Sequence, residues 1–77
     1  MHGELEVSLK GDVPRAFRWR GKSYAVLEIL EVWRDTGRWW EEEAPKLFFR
    51  LRTAGGGLWE IYRDEARGTW HLYKVYD

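Results

Sequence analysis

KSYAVLEILEVWRDTGRWW, residues 22–40, is the longest apolar-rich run in the chain and carries three of its six tryptophans. Two readings compete for it. Val26, Ile29, Leu30 and Trp33 fall at helical spacing, with Glu28, Glu31, Arg34 and Asp35 on the opposite side. As a strand, the same residues put Ala25, Leu27 and Ile29 on one face and Val26, Leu30 and Val32 on the other. That suits a long strand with a bulge, buried on one face early and on the other late. Three features favour the strand: a hairpin signal just upstream, a β-branched and aromatic composition, and no N-cap for a helix. One short helix here is the alternative.

The flanking segments need something to pair with, and this run is their natural partner. Upstream, Glu4–Lys10 alternates, with Leu5, Val7 and Leu9 on one face and Glu4, Glu6, Ser8 and Lys10 on the other. Period two with one apolar face predicts a half-buried strand. Gly11-Asp12 breaks it, with Pro14 just beyond. Residues 15–20 alternate again, Phe17 and Trp19 against Arg18 and Arg20, and Gly21-Lys22 reads as a tight hairpin turn. Downstream, Thr36-Gly37 turns the chain into Arg38-Trp39-Trp40, and Glu41 to Pro45 forms a solvated acidic loop. Lys46–Thr53 places Leu47, Phe49 and Leu51 inside and Phe48, Arg50 and Arg52 outside. The Ala54 to Gly57 turn leads into a strand at residues 58–63, with Trp59 and Ile61 on one face. Residues 64–68 turn, and Thr69–Tyr76 is the last strand. The expected fold is all-β, one domain: a small antiparallel meander of five to six strands curling into a partly open barrel.

Seventy-seven residues without cysteine make a thin core with no disulfide to staple it. Six Trp, four Tyr and three Phe compensate, each burying roughly 150–250 Å² when packed. Trp19, Trp33, Trp59 and Trp70 read most simply as core. Asn and Gln are absent while charged residues abound, a composition that points to a hot-growing source. No signal peptide or membrane-length apolar run is visible, so a cytoplasmic protein with no membrane association is expected. Either a monomer or a homodimer fits.

Chemistry has few footholds. His2 and His71 stand at opposite ends, and Glu41, Glu42 and Glu43 are consecutive, so their side chains splay; no metal and no cofactor is expected. No serine or threonine has an oriented base beside it in a motif. Gly55-Gly56-Gly57 lacks the Lys-Ser/Thr and the helix of a phosphate loop. The expectation is a non-catalytic protein. One pattern stands out: Arg15, Arg18, Arg20 and Lys22 interleave with Phe17 and Trp19, and Phe48, Arg50 and Arg52 form a second outward row. Were the two rows adjacent, rings and guanidinium groups would suit single-stranded nucleic acid. Against this, thirteen acidic and thirteen basic residues cancel, and Arg–Glu alternation across strands commonly makes solvated ion pairs. Zero net charge favours the ion-paired face. Of Trp39 and Trp40, adjacent in a strand, one faces outward, and with Arg38 it would anchor a partner protein.

The segments at residues 17–24 (FRWRGKSY), 32–34 with 38–40 (VWR, RWW), 48–52 (FFRLR), 62–64 (YRD) and 70–77 (WHLYKVYD) resemble a family of short bacterial proteins classed only as a domain of unknown function. That resemblance covers nearly the whole chain. The order Trp-Trp, alternating strand, Gly turn, strand, Trp and a terminal Val-Tyr-Asp is also similar, over the second two-thirds, to the C-terminal tail of the inactive Y-family polymerase homologue of the bacterial mutasome. The polymerase core has no counterpart here. What the resemblance implies is a small β-rich interaction module with a protein partner in DNA repair or translesion synthesis.

Overall fold

The computed structural model describes residues 4–36 and 44–76. Within the opening run, Lys22–Asp35 is a single fourteen-residue strand. Two bulges in it explain the helical spacing. Across from it, Val26 pairs with Thr53, Glu28 with Arg52, Ile29 with Leu51, Glu31 with Arg50 and Val32 with Phe49. Leu27 and Leu30 are therefore extra residues with no counterpart. Each bulge stretches the two-residue alternation to a step of three. Val26, Ile29 and Val32 share one side and Glu28 and Glu31 the other, as they would on a helix.

Six strands follow in order: β1 Glu4–Lys10, β2 Val13–Trp19, β3 Lys22–Asp35, β4 Lys46–Thr53, β5 Leu58–Asp64 and β6 Thr69–Tyr76. Each pairs antiparallel with the next, and β6 returns to β1. The all-β meander expected from the sequence is thus present, with no helix among the described residues. The barrel is closed rather than partly open, although its seam is only two pairs long, Glu4 with His71 and Leu5 with Trp70. Closure gives every strand a partner on each side over part of its length, which leaves less edge to hide than an open sheet would have.

The β2–β3 turn lies one residue earlier than the sequence suggested. Trp19 pairs with Lys22, leaving Arg20 and Gly21 as the loop, both with positive φ (51° and 76°). Two such residues give a two-residue turn whose twist matches its strands. Arg20 accepts this uncommon conformation for a non-glycine residue, and its guanidinium lies 4.4 Å from the Trp19 ring centre.

Leu5, Phe17, Phe49, Leu51, Trp59, Ile61, Trp70 and Leu72 form the core, with Leu51 and Ile61 fully enclosed. Trp59 sits at its aromatic centre, its ring 5.0 Å from Phe17, 5.6 Å from Trp19 and 4.6 Å from Tyr24. The alternation in β4 and β5 places these side chains as expected. Trp33 departs from the expectation. The bulges set it opposite Phe48 rather than Phe49, so it lies on the outer face of the barrel instead of in the core.

Candidate functional site

The registers of β3, β4, β5 and β6 align outer-face side chains into rows that run across the strands. One row is aromatic: Trp33 beside Phe48, Phe48 beside Tyr62, Tyr62 beside His71. Trp33 and Phe48 stack with centroids 5.2 Å apart and planes 2° apart. Tyr62 stacks on His71, and Tyr73 meets Phe48 edge-on. His71 Nε2 is 2.8 Å from Thr69 Oγ1, two residues back on the same face. Phe48 is outward, as predicted, yet only 6% exposed, because rings on both neighbouring strands and Tyr73 cover it. It is no open stacking platform for a base.

The next row alternates in sign: Glu31, Arg50, Glu60 and Lys74. Arg50 Nε donates to Glu60 Oε2 at 2.8 Å, and Arg50 Nη1 lies 3.2 Å from Glu31 Oε1. Tyr76 donates its hydroxyl to the same Glu60 oxygen at 3.1 Å. Glu60 is 3% exposed, a buried carboxylate on the outside of a barrel. Its hydrogen bond, with the charges of Glu60 and Glu31 beside it, holds the Arg50 guanidinium above its ordinary pKa against partial desolvation. Arg52 Nη1 lies 3.4 Å from Glu28 Oε1 in the row beyond.

The two arginine rows are not brought together. β2 pairs with β3 and β3 with β4, so β3 stands between them and offers Glu28 and Glu31 to Arg52 and Arg50. Arg18 is exposed opposite Ser23 on β3 and Glu6 on β1. Arg15 is an extra residue in the β1–β2 ladder, where Ser8 pairs with Ala16 and Leu9 with Pro14. Arg38, Trp39 and Trp40, the expected protein anchor, lie outside the described residues. Among the described residues, no group of three or more His, Asp or Glu gathers as a metal would need.

A second surface was missed in the sequence. β2 is bonded to β3 only from Ala16 with Ala25 to Trp19 with Lys22. From Val26 onward, β3 is paired among the described residues on one side alone, to β4. Where the strands part they leave a cleft of about 410 Å³ lined by Val13, Pro14, Arg15, Val26, Leu27 and Ile29 among others. Leu27 is 65% exposed, and Leu9, Val13, Leu30 and Val32 are exposed around it. The bulges account for Leu27 and Leu30, because a bulged side chain has no opposite neighbour to pack against. Helical spacing within a run otherwise read as strand was the signal that could have revealed them.

Of the known families, one described as "Domain of unknown function (DUF6504)" matches residues 4–77. Neither a curated protein nor a solved structure matches the chain.

Proposed function

This chain belongs to that family of unknown function, and we propose that it is a small, non-catalytic protein-interaction module whose docking surface is the free edge of β3. The observation that carries this reading is the exposure of Leu27, Leu30 and Val32 on a strand that, among the described residues, is bonded from one side only beyond Ala25, with Val13 across the cleft. A strand edge offers unpaired backbone N–H and C=O groups, and apolar side chains next to it reward an extended partner segment that adds to the sheet. Arg38, Trp39 and Trp40 remain the partner anchor proposed from the sequence. A partner from DNA damage tolerance is part of this proposal, and its one support is the resemblance in aromatic spacing to the mutasome tail. Among the described residues no helix is long and apolar enough to cross a membrane, and we place the protein in the cytoplasm. The ion-paired rows support the reading of a heat-adapted source.

Nucleic-acid binding is the second reading, narrowed to Arg15, Arg18 and Arg20. Arg15 and Arg18 make no ion pair among the described residues, whereas Arg50 and Arg52 are held by glutamates. The test uses cross-linking in lysate, followed by reconstitution with the purified cross-linked protein. Leu27→Glu/Leu30→Glu should abolish the reconstituted complex, and Arg15→Ala/Arg18→Ala should preserve it. Salt-sensitive binding to labelled single-stranded DNA, lost in the arginine variant and kept in the leucine variant, would replace the first reading with the second.

A further inference from the structure

The end of the barrel that carries the β4–β5 turn holds a cavity of about 380 Å³, lined by Lys22, Tyr24, Gly57, Trp59, Val75 and Tyr76 among others. This volume lies within the range of small-ligand sites, roughly 300–1,000 Å³. Two of its polar groups, on Lys22 and Trp59, are donors with no acceptor of their own among the described residues. Lys22 is exposed, its Nζ lies 5.5 Å from the Tyr24 ring centre, and it makes no ion pair among the described residues. The Trp59 ring is buried, but its Nε1–H has no acceptor among the described residues and is not sealed from solvent. Gly57 is the reason that this donor stays open. A Cβ there would stand 2.9 Å from Trp59 Nε1 and 3.1 Å from Thr53 Oγ1. The amides of Gly55 and Gly57, in the same loop, donate to no backbone carbonyl, while those of Thr53, Ala54 and Gly56 are used. The nearby acid is already committed, since Glu60 accepts from both Arg50 and Tyr76.

An ammonium and an indole N–H, on the wall of a cavity that Tyr24, Val75 and Tyr76 share with the turn from Thr53 to Gly57, call for one negative charge attached to an apolar group. We propose that this cavity binds a monocarboxylate carrying an apolar side group, with the carboxylate at Lys22 Nζ and Trp59 Nε1–H. A single lysine matches a carboxylate better than a phosphate, which carries about −1.5 to −2 at neutral pH. A free small acid and the C-terminal residue of a polypeptide present the same chemistry.

The test follows the Trp59 indole N–H resonance of the ¹⁵N-labelled full chain during titration. The probes are 3-phenylpropionate, its amide, phenyl phosphate, and a tetrapeptide ending in phenylalanine as free acid or amide. The carboxylates should shift that resonance saturably, with the amides binding about tenfold or more weakly. Lys22→Met, on an exposed side chain, should weaken the acids to the level of the amides. Gly57→Ala should block them, and if it fails to fold, Lys22→Met alone carries the test. A free acid that binds tighter than the peptide assigns the small-molecule source, and the reverse assigns a chain end. No saturable shift with any acid, equal response to acid and amide, tighter phosphate binding, or indifference to Lys22→Met would each overturn the proposal.

Discussion

Phe48 points out of the barrel, and a purely topological view would let it be truncated without consequence. The outer aromatic row says otherwise. Phe48 is 6% exposed, and an aromatic side chain buries at least about 150 Å² in such a setting. At about 25 cal/mol per Å² that is nearly 4 kcal/mol of transfer free energy, of which alanine keeps about a third. Compactness of the unfolded chain trims the loss to about 2 kcal/mol. Loss of the Trp33 stack adds about 0.5–1.5 kcal/mol. Phe48→Ala should therefore cost about 3 kcal/mol, close to the 3–5 kcal/mol typical of a Phe in a true core. For a domain of this size each kcal/mol lowers Tm by about 4–8 °C, so the melting point should fall by some 12–24 °C. Thermal and urea unfolding followed by circular dichroism measure this directly. A cycle with Trp33→Ala should add a coupling of about 0.5–1.5 kcal/mol for rings stacked 5.2 Å apart. A loss below about 0.5 kcal/mol, in the range of ordinary surface substitutions, would refute the idea that the outer row is a second packed layer.

Deleting Leu30 should leave a folded barrel, because Ile29 and Glu31 then alternate against Leu51 and Arg50 without a bulge. Deleting Arg50 from β4 instead flips everything beyond it to the wrong face and should abolish folding; proton NMR dispersion distinguishes the two. Gly21→Ala should cost about 1–2 kcal/mol in chemical unfolding, since φ is +76° there although a Cβ would meet nothing within 4 Å. Arg52→Ala should lower stability by only about 0.2–1 kcal/mol, and high salt should erase the difference, because both partners of its ion pair are half-exposed. Glu60→Ala should lower Tm more than Glu28→Ala, since it strips the buried acceptor from both Arg50 and Tyr76.

Much of this architecture was legible in the chain because period-two alternation survives in β1, β4 and β5, whose faces agree with the pattern, whereas β6 carries Tyr73 as an extra residue between Leu72 and Lys74. It failed where the ladder carries an extra residue. A bulge costs no composition signal, so Leu27 and Leu30 looked like core and Trp33 was assigned to the wrong side. The inward or outward direction of Phe48 was readable, but its burial was not. Burial depends on Trp33, Tyr62 and Tyr73 arriving from three other strands, and register between strands is set by turns and bulges rather than by local pattern. Glu60 was hidden for the same reason: its partner Arg50 becomes its neighbour only once the turn at Ala54 to Gly57 fixes the β4–β5 register. The Arg50 and Arg52 row matched the ion-paired expectation, while the strip uniting it with Arg15, Arg18 and Arg20 required β2 and β4 to be neighbours, and β3 intervenes.

The two-pair seam between β1 and β6 has a kinetic consequence. Every other pairing joins consecutive strands, whereas Glu4 with His71 and Leu5 with Trp70 must close nearly the full length of the chain. That closure carries the largest chain-entropy cost and the smallest ladder. Assembly should proceed as a string of local hairpins, with circularisation as the slow final event. In the native state the same seam should exchange its amide protons ahead of the β3–β4–β5 ladders, so that the closed ring breathes at one joint only.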